Sequence, residues 1–157
     1  MQKNRSLAPY FLLAILVIII DQVSKFAIEA NFNFQEFIPV TSFFNIGLTY
    51  NPGAAFSFLA DHNGWQRWFF TVLSLVASIF IIVMMRKYRT QNRFCLGLAF
   101  VLGGAIGNLI DRVRIGKVVD FLDFYYQAHH WPAFNIADSA IFIGVAILLW
   151  DEFAKKK

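Results

Sequence analysis

Residues 7–28 read LAPYFLLAILVIIIDQVSKFAI, an apolar run about as long as the ~20 residues that a helix needs to cross a bilayer. Pro9 falls in the first turns of this run, where a helix tolerates proline. Lys3 and Arg5 precede the run, but no small-residue cleavage site follows it. We therefore expect a retained membrane span rather than a removed leader.

Three further apolar blocks follow, at about residues 68–85, 94–110 and 136–153. The chain is 58% hydrophobic and only 15% charged, whereas soluble domains carry about 25% charged residues. The pattern predicts one integral membrane domain over residues 1–157. We expect this domain to be mainly α, a bundle of four transmembrane helices.

The 14 basic residues predict the orientation of the spans, because cytoplasmic loops carry an excess of lysine and arginine. Nine lie at the two chain ends and after the second block: Lys3, Arg5, Arg86, Lys87, Arg89, Arg93, Lys155, Lys156 and Lys157. Five lie on the other side: Lys25, Arg67, Arg112, Arg114 and Lys117. Both termini are therefore expected in the cytoplasm.

Two segments are then expected outside, at residues 29–67 and 111–135. Within the first, Glu36 to Tyr50 is rich in Phe, Ile, Val and Thr and is interrupted by Pro39 and Gly47. This composition favours short strands. We expect a small extracytoplasmic β-rich segment on the membrane surface.

Several classes of protein and site are disfavoured. The net charge is +4, but most basic residues lie beside hydrophobic blocks rather than along a polar helix, so no nucleic-acid partner is expected. One cysteine, Cys95, allows no disulfide framework. No HExxH motif indicates zinc, no Gly-x-Ser-x-Gly motif indicates a serine nucleophile, and the adjacent His129 and His130 are interpreted as interfacial. Neither a metal nor a cofactor is expected.

Four acidic residues converge on the outer leaflet boundary from separate parts of the sequence. They are Asp21, Asp111, Asp120 and Asp138. Because ionised side chains in lipid are costly, such a group must face the bundle interior, pair or share protons. Asn108 and Asn135, each about one turn before one of these aspartates, add hydrogen-bonding groups. A polar pocket open to the outer surface is predicted.

Some of these polar residues have alternative roles that are purely structural. Asp111 and Arg112 could form a plain interfacial ion pair, and Asn135 could be the N-cap of the fourth span. Asp120 and Asp138 have no obvious local basic partner. Two such carboxylates, if close, share one proton, so one can activate water while the other donates to a carbonyl. Asp123 is expected to lie outside this pair.

Five blocks in order along the chain carry a resemblance to a known family. They read Asp21-Gln22-x-x-Lys25, Asn51-x-Gly53-Ala54-Ala55-Phe56, Gly103-Gly104-Ala105-x-Gly107-Asn108-Leu109-x-Asp111-Arg112, Val118-Val119-Asp120-Phe121 and Phe134-Asn135-x-Ala137-Asp138. Over nearly its whole length the sequence resembles bacterial lipoprotein signal peptidase (signal peptidase II), an aspartic membrane protease family.

The resemblance implies a site residue by residue. Asp120 and Asp138 would be the catalytic dyad. The other residues that it implies would bind substrate or support the site: Asp21, Lys25, Asn51, Gly53, Asn108, Asp111, Arg112, Asn135 and Ala137.

The resemblance also implies a substrate and a location. The enzyme would cleave prolipoproteins just before a diacylglyceryl-modified cysteine, at the outer leaflet boundary of the bacterial cytoplasmic (inner) membrane. Membrane lipid and globomycin-type inhibitors would be its other partners, and a monomer is expected. A proton-coupled carrier and a non-catalytic lipoprotein-binding scaffold are the alternatives. The carrier is disfavoured because the acids crowd one side and no inverted repeat is visible.

Overall fold

The computed structural model describes residues 6–53 and 65–155. Part of the expected outer segment, the motif residues Ala54 to Phe56, the N-terminal basic residues and the last two lysines lie outside the described residues. In the described part, four helices occupy the four apolar blocks: α1 (Ala8–Asn31), α2 (Trp65–Lys87), α3 (Asn92–Ile115) and α4 (Ile136–Lys155).

By length and composition, α1, α2 and α3 could each cross a membrane. Helix α4 is as apolar in its middle but carries charged residues near both ends, Asp138 at the start and Asp151, Glu152 and Lys155 at the finish. The helices expose large apolar side chains on their outer faces, including Leu12, Phe80 and Phe142. Such a surface is suited to lipid rather than water.

Helix α3 lies at the centre and packs against the other three helices. Its small residues allow close approach on two sides. A Cβ added at Gly103 would lie 2.7 Å from the Cβ of Val17 in α1, and one at Gly104 would lie 2.3 Å from the carbonyl oxygen of Ala137 in α4. Both contacts are too short for a side chain, so the helix backbones meet here directly.

Helix α3 extends further than the sequence pattern predicts. The apolar block ends near residue 110, whereas the helix continues through Asp111 and Arg112 to Ile115. Gly116 then ends it in the left-handed region with φ 79°, and the Gly116 N–H donates to the Arg112 carbonyl at 3.1 Å. The polar residues do not end the helix because buried partners satisfy them.

The strands form one small antiparallel sheet in the order β1 (Phe37–Thr41), β2 (Phe44–Asn51), β3 (Val118–Tyr126) and β4 (His129–His130). The first two strands lie in the stretch where short strands are expected. The longest strand, β3, comes from the second loop segment, so the sheet joins two parts of the chain far apart in sequence. Val119 and Phe121 of β3 pack with Leu48 of β2 and Ile28 of α1. This apolar cluster fixes the sheet on the end of α1.

Candidate active site

The structure brings together side chains from four elements where α1, α3, β3 and the start of α4 meet. The described residues of the implied site that are buried there are Asp21, Lys25, Asn108, Asp111, Asp120, Asn135 and Ala137. Asp138 is half-buried beside them. The pocket is therefore built by packing of separate helices and a strand rather than by one local motif.

Asp138 lies in the first turn of α4 and is held through both carboxylate oxygens. Its Oδ1 accepts a hydrogen bond from the Asn108 side-chain amide at 2.7 Å, and its Oδ2 accepts from the Asn135 backbone N–H at 3.3 Å. The Asn135 side-chain oxygen in turn accepts the Asp138 backbone N–H at 2.9 Å. This reciprocal pair is a capping box, so Asn135 does cap α4 as its position suggests.

Asp120 is 2% exposed and sits on β3, opposite Thr49 of β2. Its Oδ1 accepts a hydrogen bond from the Asn135 side-chain amide at 2.7 Å, and Asn51 makes a second side-chain hydrogen bond to it. Asn135 therefore contacts both Asp120 and Asp138. The Asn135 side chain caps the helix and binds the Asp120 carboxyl group, while the Asn135 backbone N–H binds the Asp138 carboxylate.

Burial and, to a smaller extent, the nearby negative charge of Asp138 raise the pKa of Asp120, which reaches about 7. Hydrogen bonds from Asn135 and Asn51 and the positive charge of Lys25 act in the opposite sense. The raising effects win, so the Asp120 carboxyl holds its proton near neutral pH. A carboxyl group that is protonated near neutral pH can donate a proton to another molecule.

A buried ion cluster lies behind this pair. The Lys25 ammonium is 2.8 Å from the Asp21 carboxylate and 2.9 Å from that of Asp111, and all three side chains are 0–1% exposed. Gln22, on the same helix as Lys25, donates to Asp21 at 3.1 Å and to Asp111 at 3.2 Å. Every carboxylate oxygen of the cluster has a partner, as burial of charge requires.

The two carboxylates of this cluster each bind the backbone next to a pocket aspartate. Asp21 accepts the N–H of Ala137 at 2.8 Å, and Asp111 accepts the N–H of Val119 at 3.1 Å. Ala137 precedes Asp138 and Val119 precedes Asp120. The ion cluster thus fixes the main chain at both positions from which the paired carboxyl groups project.

The simple ion pair considered for Asp111 and Arg112 is wrong, because Asp111 pairs with Lys25 instead. The Arg112 guanidinium lies over the ring of Phe70, 5.4 Å from its centre, and makes a 3.5 Å hydrogen bond to the Asn108 carbonyl. Gly53 donates its N–H to the Asn51 side-chain oxygen at 2.9 Å. Arg112 and the turn from Asn51 to Gly53 therefore border the carboxyl pair on the side of α2.

Asp123 lies apart from the pair. Three residues along β3 from Asp120, it points to the opposite face of the strand. There it accepts a hydrogen bond from Asn45 at 2.7 Å and contacts the His130 ring nitrogen at 2.9 Å.

A cavity of about 400 Å³ reaches Asp138 from the side of α4. It is lined by Trp131, Phe134, Asp138, Ser139, Phe142 and Ile143. Its wall is apolar apart from Asp138 and Ser139. In residues 6–53 and 65–155 no group of three or more His, Cys, Asp or Glu side chains is arranged to hold a metal ion.

Sequence reasoning did not single out Gln22 or Phe70. Gln22 stands within the first motif block, next to an expected site residue, and its side chain joins α1 to α3 by donating also to the Gly107 carbonyl at 3.1 Å. Phe70 carries no such signal, because it is one of 19 phenylalanines in the chain and lies in an apolar helix.

Fold and site together define a membrane-embedded protein in which one asparagine, Asn135, binds the carboxyl groups of both Asp120 and Asp138. A family model described as Signal peptidase (SPase) II matches residues 13–154. The chain belongs to the signal peptidase II family and is a peptidase.

Relatives and solved structures agree with that assignment. The lipoprotein signal peptidase of Polynucleobacter necessarius is 52% identical over 98% of this chain and 94% of its own length. That of Cupriavidus necator is 53% identical over 90% of this chain and 81% of its own. A bacterial membrane enzyme solved by the in meso method at 2.3 Å resolution superposes with a TM-score of 0.85 and 32% identity, covering 100% of this chain and 96% of that one.

Proposed function

We propose that Asp120 and Asp138 are the catalytic dyad of an aspartic endopeptidase that removes the signal peptide from prolipoproteins. The observation that carries this proposal is the single Asn135 side chain that contacts both carboxyl-bearing residues, at 2.7 Å to Asp120 and 2.9 Å to the backbone of Asp138. Each carboxyl group has further hydrogen bonds that fix its direction. Such pre-organisation is what hydrolysis without a covalent intermediate requires.

The two carboxyl groups have different environments and hence different roles. Asp138 accepts hydrogen bonds from the Asn108 side chain and the Asn135 backbone N–H, which stabilise its carboxylate, so in this proposal it acts as the base on a water molecule. Asp120, with its pKa raised to about 7, donates its proton to the carbonyl oxygen of the scissile peptide bond. Attack by the water then gives a tetrahedral intermediate. Asp138 then passes the proton that it took from the water to the departing nitrogen, the carbon–nitrogen bond breaks, and the former carbonyl oxygen returns its proton to Asp120.

The substrate is a prolipoprotein, cleaved just before its diacylglyceryl-modified cysteine. Support comes from the family membership and from the relatives that are called lipoprotein signal peptidase. The apolar cavity beside Asp138 offers room next to the dyad. Globomycin-type inhibitors would compete for the same pocket, membrane lipid would surround the helices, and the enzyme would act as a monomer.

The remaining residues implied by the resemblance bind substrate or support the site. Asn51 and Arg112 hold the substrate backbone. The positions that support the dyad are Asp21, Lys25, Gly53, Asn108, Asp111, Asn135 and Ala137.

All of residues 1–157 form one integral membrane domain in this proposal, with α4 as its fourth span. The middle of α4, residues 139–150, contains no charged side chain, which supports a crossing despite the charges at its two ends. The bias of basic residues places both termini in the cytoplasm of a bacterial cell. The dyad then lies at the outer leaflet boundary of the inner membrane, with the sheet on the outer surface.

The decisive experiment measures cleavage of a lipidated precursor by the single variants Asp120→Asn and Asp138→Asn. Each change keeps the size of the side chain and removes its acid–base chemistry, so both rates should fall by at least about 1,000-fold. Asp123→Asn is the matched control, on the same strand but on its other face. Wild-type cleavage by either dyad variant would rule out the proposed mechanism.

A further inference from the structure

Phe70 of α2 lies between two parts of the site that the sequence does not connect. The face of its ring is 5.4 Å from the Arg112 guanidinium carbon. The same ring touches Gly53, where an added Cβ would lie only 2.3 Å from the Phe70 ring carbon Cδ2. Because the flat Phe70 ring contacts both the Arg112 guanidinium and Gly53, it sets the distance between them.

The turn on one side of Phe70 has a fixed shape. Gly53 adopts φ 114°, a conformation that residues with a side chain rarely take, and its N–H donates to the Asn51 side-chain oxygen at 2.9 Å. Asn51 also makes a side-chain hydrogen bond to Asp120. The contact between the Phe70 ring and Gly53 therefore helps to fix the orientation of the Asn51 side chain.

The guanidinium on the other side of Phe70 has few partners of its own. Among the described residues Arg112 makes no ion pair, and its hydrogen bond to the Asn108 carbonyl is long at 3.5 Å. Its charge nevertheless acts on the carboxylates of Asp138, Asp120 and Asp111. A planar cation beside the dyad needs a support to keep its direction, and an aromatic face provides one.

Helix α2 is itself held rigidly at this point. Arg67, one turn before Phe70, donates to the Arg112 carbonyl at 3.1 Å and to the Val113 carbonyl at 2.9 Å. These bonds fasten the start of α2 to the last turns of α3. The Phe70 ring is thus fixed relative to the backbone of the arginine that it supports.

We propose that Phe70 is a positioning residue for hydrolysis, which aligns the Arg112 guanidinium and the Asn51 side chain with the dyad and with the substrate backbone. This inference rests on the proposed function. Phe70 has no polar group and takes no part in the proton transfers. It acts through Arg112 and Asn51, and a small misplacement of such groups is costly to the rate.

The test compares Phe70→Leu, which keeps an apolar side chain and loses the flat face, with Phe70→Tyr, which keeps the face. Phe80→Leu is the matched control, since Phe80 lies on the same helix and is 61% exposed on its outer surface. With a lipidated precursor, Phe70→Leu should lower kcat about tenfold with a smaller change in KM. Phe70→Tyr should retain most of the activity, and all three variants should unfold at similar temperatures.

A double-mutant cycle with Arg112→Lys provides the second readout. A lysine cannot present a planar group to the ring, so Phe70→Leu should cost much less in that background than in the wild type. Additive losses, wild-type activity of Phe70→Leu, or equal losses for Phe70→Leu and Phe70→Tyr would each overturn the proposal. These outcomes are independent of the dyad variants, so the role of Phe70 and the proposed dyad can fail separately.

Discussion

The Lys25 ammonium lies 3.0 Å from the side-chain oxygen of Asn108, and this contact determines which end of that amide faces Asp138. A lysine ammonium can only donate hydrogen bonds, so the Asn108 oxygen must face Lys25. The amide nitrogen of Asn108 is then directed at Asp138, to which it donates at 2.7 Å. A buried charge on α1 thereby orients a carboxyl group on α4 through α3.

Replacement of Lys25 by methionine should therefore reduce both stability and activity. Asp21 and Asp111 would remain buried without a positive partner, which costs about 3–5 kcal/mol. Thermal unfolding in detergent should show a large loss for Lys25→Met and little change for Lys117→Met, where the lysine is exposed. Equal unfolding temperatures for the two variants would contradict this role of the cluster.

The raised pKa of Asp120 predicts a pH dependence of stability. The folded chain holds this proton up to about pH 7, whereas an unfolded aspartate loses it near 3.8. Between these values the folded state binds more protons, so the stability that Asp120 contributes is lost as pH rises through about 7. Asp120→Asn should therefore gain in unfolding temperature relative to the wild type between pH 5 and pH 8. A difference that stays constant with pH would argue against a protonated Asp120.

Asn135→Ala should shift the pH–rate profile in a defined direction. The Asn135 hydrogen bond lowers the pKa of Asp120, so its loss should move the alkaline limb of the profile to higher pH. Loss of the α4 cap should also cost about 0.5–2 kcal/mol of stability. Asn31→Ala serves as the control, because it removes an exposed amide that is hydrogen-bonded to the Ala27 carbonyl. It should change neither the alkaline limb of the pH–rate profile nor the stability. An alkaline limb that stays in place would show that Asn135 does not tune Asp120.

Asp123→Asn should retain most of the cleavage rate. Asp123 contacts Asn45 and the half-exposed His130 on the face of β3 away from Asp120. Since His130 is 54% exposed, the loss of this pair should cost about 1 kcal/mol or less. Cleavage rates of Asp123→Asn measured with a lipidated precursor test this expectation. A complete loss of cleavage would place Asp123 in the reacting pair.

The sequence predicts the helices better than their ends. Apolar blocks locate all four helices, because burial in lipid or against another helix demands long uncharged runs. The end of α3 is missed because Asp111 looks like an interfacial residue until its partner is known. That partner, Lys25, lies in another helix, and no local spacing reveals the contact. Strand β3 was not predicted either, since its pairing with β2 depends on the packing of two distant loops.

The candidate site, like the fold, is predictable from the sequence only in part. The gathering of acidic residues follows from the cost of charge in an apolar helix, and the structure brings Asp120 and Asp138 to the same residue, Asn135. The ion pair considered for Asp111 and Arg112 is wrong because nearness in sequence does not place two helical side chains on one face. The support of Arg112 by Phe70 is a contact between helices that composition cannot indicate.

The i, i+4 spacing of Asp21 and Lys25 has a consequence for how the chain enters its membrane. Within helix α1 the Asp21 and Lys25 charges lie one turn apart, 2.8 Å from each other. The apolar run of residues 7–28 therefore carries no net charge, which lowers the cost of placing it in lipid. In the folded chain Asp111 of α3 lies 2.9 Å from the same ammonium, so the first span supplies the counter-charge that the third span needs.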